Sequence, residues 1–235
     1  MAPDFQRPFT LPPGATEIVL VRHGSAVRAA GERLAGGHAD PPLSPEGVLQ
    51  AEAVARRLGE QLLGGLFVTP LRRTAETAAP LAARTHLVPT VVEDLREVHL
   101  GDRETGVNAQ ALKPDPLAAR LFEAGRWDVI PNAEDMDRFT ERVRRGMARL
   151  ADAVGPDRAG VAVTHAGVIA EACRQVTQSH AFAFLYAENG SLTRLMRLAS
   201  GRWALRSFND TAHLPVAGAD GSPARNAPPA AGALS

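Results

Sequence analysis

Apolar positions along this chain follow two different periods. The run Ile18-Val19-Leu20-Val21 is continuously apolar and β-prone, as in a strand buried on both faces, whereas Val48, Ala51, Val54, Ala55 and Leu58 recur at helical spacing. The second pattern predicts a helix to about residue 62, opened by Ser44 as N-cap and Pro45 in the first turn. Further strands are expected at 66–68, 88–92 and 160–164, and further helices at 73–83, 116–124, 134–153 and 168–177. Segments 191–198 and 203–208 read as a closing antiparallel pair. Strands that alternate with helices predict an α/β three-layer sandwich, with a mainly parallel central sheet and helices on both faces. In such sheets ligands bind at the carboxyl ends of the strands.

The two ends fall outside that alternation. Residues 1–15 are Pro-rich and irregular, and 215–235 form an Ala/Gly/Pro-rich tail that buries too little apolar surface to offset its ordering entropy. A single domain over 16–214 is the expectation. With 235 residues, 45% of them hydrophobic, the chain is long enough for one substantial α/β core.

Charge and cysteine content remove several classes of function. Lys+Arg and Asp+Glu both number 26, so no global field favours nucleic acid or an anionic membrane, and attraction for an anion must be local. No apolar run is long enough to span a bilayer and residues 1–13 lack a signal-type segment, so a cytoplasmic location is expected. Cys173 is the sole cysteine, which excludes an intrachain disulfide and a cysteine-based zinc site.

The candidate chemistry sits where strands end. Arg22-His23-Gly24 follows the first strand, Thr69-Pro70-Leu71-Arg72-Arg73 turns from a strand into a helix, and Val163-Thr164-His165-Ala166-Gly167 ends a later strand. Neutral imidazole carries a lone pair near pH 7, and guanidinium forks pair with phosphate oxygens. Two histidines and two arginines converging at strand ends therefore suit a phosphoryl group.

This ordered set, with Glu97 between its last two parts, resembles the histidine phosphatase superfamily, which includes cofactor-dependent phosphoglycerate mutases and many small phosphatases. The resemblance extends over 16–214, through Asp40-Pro41-Pro42-Leu43-Ser44-Pro45-Glu46-Gly47, Leu95-Arg96-Glu97, Ala133-Glu134-Asp135 before Phe139 and Arg142, and Asn209-Asp210-Thr211-Ala212-His213. It implies His23 as nucleophile, Glu97 as acid and base, and His165, Arg22 and Arg73 around the phosphoryl oxygens. It also implies phosphate contacts at Gly24, with Ser25 or Arg28 replacing an amide that the family usually has where Ala29 stands. No metal and no cofactor is required. Asp102, Glu104 and Glu134 are competing proton donors, Arg72 is a solvated or substrate-rim residue, and His99 and His213 are candidates for the pocket mouth.

The expected activity is metal-independent hydrolysis of a small phosphorylated metabolite through a phosphohistidine. One alternative is a phosphoglycerate mutase, but the chain reads Glu97-Val98-His99-Leu100-Gly101 where mutases continue Glu-Arg-His-Tyr-Gly. Another is a non-catalytic module that binds a phosphorylated ligand, against which stands the complete set of reactive residues. Neither nucleic acid nor membrane is an expected partner, and a homodimer stays open.

Overall fold

The computed structural model describes residues 8–27, 40–103 and 116–215. Its strands are β1 (Thr16–Arg22), β2 (Leu63–Val68), β3 (Thr90–Val91), β4 (Arg158–Thr164), β5 (Leu192–Arg197) and β6 (Trp203–Asp210). They form one six-stranded sheet in the order β3-β2-β4-β1-β5-β6. The first four in that order pair in parallel, and β5 and β6 close it as an antiparallel pair. The described helices are α1 (Pro45–Leu58), α2 (Arg72–Thr85), α3 (Pro116–Ala124), α4 (Met136–Val154) and α5 (Ala166–Thr177). None of them is long and apolar enough to cross a membrane.

Strand side chains alternate between two cores. Val19, Val21, Val68, Val161 and Val163 pack with Val54 and Leu58 of α1 and Leu81 of α2. Ile18, Leu20, Phe67 and Ala162 face the other way, against Phe139, Val143 and Leu150 of α4 and Ile169 of α5. This is the three-layer sandwich, and covering both sheet faces explains why β1 is apolar at every position from Ile18 to Val21 and not every second one. Each large side chain fully buried there stabilises the fold by about 1.5–3 kcal/mol relative to exposure.

The structure corrects several element details. Helix α1 ends at Leu58, where the Gly59 N–H closes on Ala55 O, and Leu62, expected inside the helix, is 97% exposed. Val48 has helical spacing but is 51% exposed, because Gly47 occupies the inner side of the turn, where a Cβ would stand 2.0 Å from Ser25 O. Segment 88–92 contributes only Thr90–Val91 to the sheet before a 3-10 turn over Glu93–Leu95.

Two adjacent strands fix the site. Strand β1 feeds α1 on one face and its parallel neighbour β4 feeds α5 on the other, so a crevice opens between them at their carboxyl ends. Arg22 lies opposite Thr164 in the β1–β4 register, so His23 and His165 leave the sheet side by side.

Candidate active site

His23 is buried, and its backbone N–H still bonds Thr164 O as an extension of the strand pairing. The Nδ1–H donates to Gly24 O at 2.8 Å, and Arg73 Nε donates to Nε2 at 3.2 Å. A guanidinium can only donate, so Nε2 is the lone-pair nitrogen. Burial, then the Arg73 and Arg22 charges, push the imidazole pKa down to about 3 against the opposing pull of Gly24 O. The ring is therefore neutral at ordinary pH, with its free lone pair at Nε2.

His165, fully buried at the N-cap of α5, lies with its ring centroid 5.2 Å from that of His23. Arg73 Nη2 stands 3.4 Å from its Nδ1, and its Nε2 is 2.9 Å from Thr69 Oγ1. The donor-only guanidinium assigns the His165 proton to Nε2, shared with Thr69. Thr69 is delivered by the same logic as the histidines, since Val68 of β2 pairs with Val163 of β4. Arg73 enters from the second residue of α2 and spans both rings.

Arg22 Nη1 donates to Ala187 O, while its Nε is buried without a hydrogen-bond partner. Burial lowers the Arg22 pKa, opposed by Glu97 and reinforced by Arg73. Glu97 Oε1 accepts from the Val98 N–H at 3.0 Å and Oε2 from the Gly167 N–H at 3.3 Å. A Cβ at 167 would come within 2.6 Å of Glu97 Oε1, so a larger residue there would push that carboxyl aside. Burial raises the Glu97 pKa, resisted by those two N–H groups and by Arg73 and Arg22. The site therefore combines a neutral imidazole, a carboxyl biased toward its protonated form, and two guanidiniums, one with an unspent buried donor. Unpaired buried donors are costly, and an anion oxygen would satisfy this one.

The structure thus brings His23, His165, Arg22, Arg73 and Glu97 together. Gly24 packs on α1, where a Cβ would lie 2.5 Å from Gly47 O, and its N–H donates to Thr77 Oγ1. The Ser25 N–H donates to Gln50 Oε1 and its carbonyl accepts from the Ser44 N–H and hydroxyl. Arg28 and Glu104 lie outside the described residues. Glu134 is paired with Arg142, which lowers its pKa against the effect of burial and removes it as a proton donor. Asp102 accepts from Asn132 Nδ2, and exposed Arg72 pairs with Glu76. His213 turns its Nε2 to Gly190 O, and His99 Nδ1 accepts from the Gly101 N–H. His86 caps α2 in the left-handed region.

Three contributors carry no sequence signal of their own. Thr69 and Thr77 are neutral residues inside the α2 entry segment, and Asn189 donates from Nδ2 to His23 O at 2.8 Å. The Asn189-Gly190 dipeptide marks a turn, which is the one cue available for Asn189. An open groove of about 560 Å³, lined by Met147, Val176 and Trp203 among others, shares no residue with this cluster. Polar convergence, not groove size, identifies the site.

Comparison with known proteins identifies the family and the fold. The sequence model of the histidine phosphatase superfamily (branch 1) matches residues 18–211. The chain is 34% identical over 206 residues to phosphoglycerate mutase-like protein 4 of Arabidopsis thaliana, covering 86% of this chain and 88% of that relative. It is 31% identical over 208 residues to the metal-independent phosphoserine phosphatase of Arabidopsis thaliana, covering 86% and 85%. The native structure of mycobacterial glucosyl-3-phosphoglycerate phosphatase matches with a TM-score of 0.67 at 30% identity, covering 84% of this chain and 100% of that one.

Proposed function

We propose, for a chain that belongs to the histidine phosphatase superfamily (branch 1), metal-independent hydrolysis of small phosphomonoesters through a phosphohistidine on His23. It is a phosphoric monoester hydrolase, and the observation that carries the mechanism is the fixed tautomer of His23. Its proton is held on Gly24 O and its lone pair lies beside Arg73.

In the first step Nε2 attacks phosphorus and the P–O bond to the leaving group breaks. The leaving oxygen takes its proton from Glu97, whose raised pKa suits that role. Arg73 slides from Nε2 onto the non-bridging oxygens, joined by Arg22, while the His165 lone pair at Nδ1 orients that guanidinium and Gly24 O stabilises the positive ring that forms. In the second step the Glu97 carboxylate takes a proton from water, the resulting oxygen attacks phosphorus, and the N–P bond breaks. Inorganic phosphate leaves and both residues return to their starting states. The protein's part is alignment and charge stabilisation, which suits phosphoryl transfer.

The related proteins named above include phosphatases of phosphoserine and of glucosyl-3-phosphoglycerate. For this chain the substrate class is a small phosphorylated metabolite. The test is phosphate release from a panel including both phosphoglycerates and phosphoserine, with and without chelator, for the parent and His23→Ala. Chelator-resistant release that disappears in the variant is expected. Release independent of His23, or phosphoglycerate interconversion without phosphate release, overturns the proposal.

A further inference from the structure

Arg142, on the second turn of α4, has its whole donor set engaged. Nε and Nη2 grip Glu134 Oε1 and Oε2 at 2.6 and 2.7 Å. Nη1 donates to Asp94 O and Arg96 O at 2.9 and 2.6 Å, and Nη2 also donates to Glu97 O at 3.0 Å. These are all five N–H groups of a guanidinium. Glu134 extends the grip, since its Oε2 accepts from the His99 N–H and its own N–H donates to His99 O. Thr164 Oγ1 takes Leu95 O, so the consecutive carbonyls of residues 94–97 are each held from the body of the fold.

None of these contacts reaches the phosphoryl site directly. The loop they immobilise carries Glu97, whose carboxyl is aimed, among the described residues, by two backbone N–H groups, one of them 3.3 Å away. We infer that Arg142, locked by its ion pair with Glu134, is a positioning residue that sets the place of the Glu97 carboxyl over the leaving-group oxygen. The inference rests on Glu97 acting as the proton donor proposed above. The work needs arginine: a lysine ammonium has three donors at one point and cannot span three carbonyls and a carboxylate.

The discriminating readout is dependence on the leaving group. An alkoxide must be protonated as it departs, whereas an acidic phenol leaves without help. The experiment measures kcat/KM, which reports only the phosphorylation step, for phosphoserine and p-nitrophenyl phosphate on the parent, Arg142→Lys, Glu134→Gln and Glu97→Gln. Both esters are read on one preparation, so their ratio is independent of the folded fraction. For Arg142→Lys the alkyl ester is expected to lose about 10²-fold and the aryl ester less than about 3-fold, the scale of a misplaced but present catalytic group. Glu97→Gln shows the same selectivity, at least as large, and Glu134→Gln the same direction. Equal losses on both esters in Arg142→Lys beside a selective Glu97→Gln make Arg142 mere scaffold and overturn the inference. An unselective Glu97→Gln instead removes the proton-donor role of Glu97 itself, and the inference falls with it. If Arg142→Lys yields no folded protein, the ratio in Glu134→Gln decides.

Discussion

Arg73 Nε stands 3.2 Å from His23 Nε2, on the nitrogen whose lone pair the reaction uses. One guanidinium therefore lowers the basicity of the imidazole and covers the nucleophile until phosphate oxygens draw it away. Removing it in Arg73→Ala is expected to raise the His23 pKa above its value of about 3. The rise is partial, because burial is the larger cause of the depression and persists. Imidazole titration by NMR checks this, and an unmoved midpoint would contradict it. The same variant should lose about 10²–10³-fold in kcat/KM, the usual cost of deleting one preorganised donor.

The depressed His23 pKa also makes stability depend on pH. Between the ordinary value of 6.5 and about 3, the unfolded chain binds a proton at this position that the folded protein refuses. The contribution is complete above pH 6.5 and is lost as pH falls through that window, with a slope of up to about 1.4 kcal/mol per unit. Denaturant unfolding of His23→Ala between pH 3 and 6.5 should show a shallower acid loss than the parent. Parallel curves would mean that His23 is not the group responsible.

The same arrangement explains what was legible in the sequence. Strand β1 and helix α3 follow directly from local pattern, because buried strands and amphipathic helices write their periods into the chain. Val48 and Leu62 mislead, since an apolar residue beside a helix end has the right spacing whether or not anything covers it. The reactive groups could be listed from strand ends, but their meeting depends on β4 lying beside β1 in register, a fact of topology. Thr69, Thr77 and Asn189 escape notice because neutral side chains holding backbone or a ring nitrogen leave no charge or spacing pattern. Arg142 and Glu134 stand in a family-like segment, but the grip of Arg142 on residues 94–97 spans more than forty positions and leaves no local pattern.

Close backbone approach sets another constraint. Helix α1 begins against the catalytic loop, with Ser44 capping its first turn and the Ser44 N–H bound to Ser25 O. A Cβ on Gly47 would meet Ser25 O at 2.0 Å, and backbone cannot yield as a flexible side chain does. Gly47→Ala is expected to destabilise by about 1–3 kcal/mol, as overpacking does, and to raise KM by displacing Gly24 and Ser25. Chemical denaturation with steady-state kinetics tests both effects, and an unchanged midpoint would show that the loop relaxes freely. The exposed neighbour Val48→Ala should leave both near the parent values.

Glu97 has the opposite sign to His23. Its pKa is raised by burial, against the N–H groups of Val98 and Gly167 and the charges of Arg73 and Arg22. The folded state thus favours the protonated carboxyl, and the associated stability is present below the ordinary value of 4.5 and lost as pH rises through the raised one. The protonated form is also the one that serves the leaving group. For an alkyl phosphate, kcat/KM should therefore fall with rising pH through that elevated pKa. In Glu97→Gln, which has no proton to lose, that limb disappears while the level drops by about 10²-fold or more. Ionisation of the substrate's own phosphate is common to both proteins and cancels in the ratio of parent to variant. A ratio that stays flat across pH would show that the proton comes from elsewhere, and a ratio that declines with pH identifies Glu97 as its source.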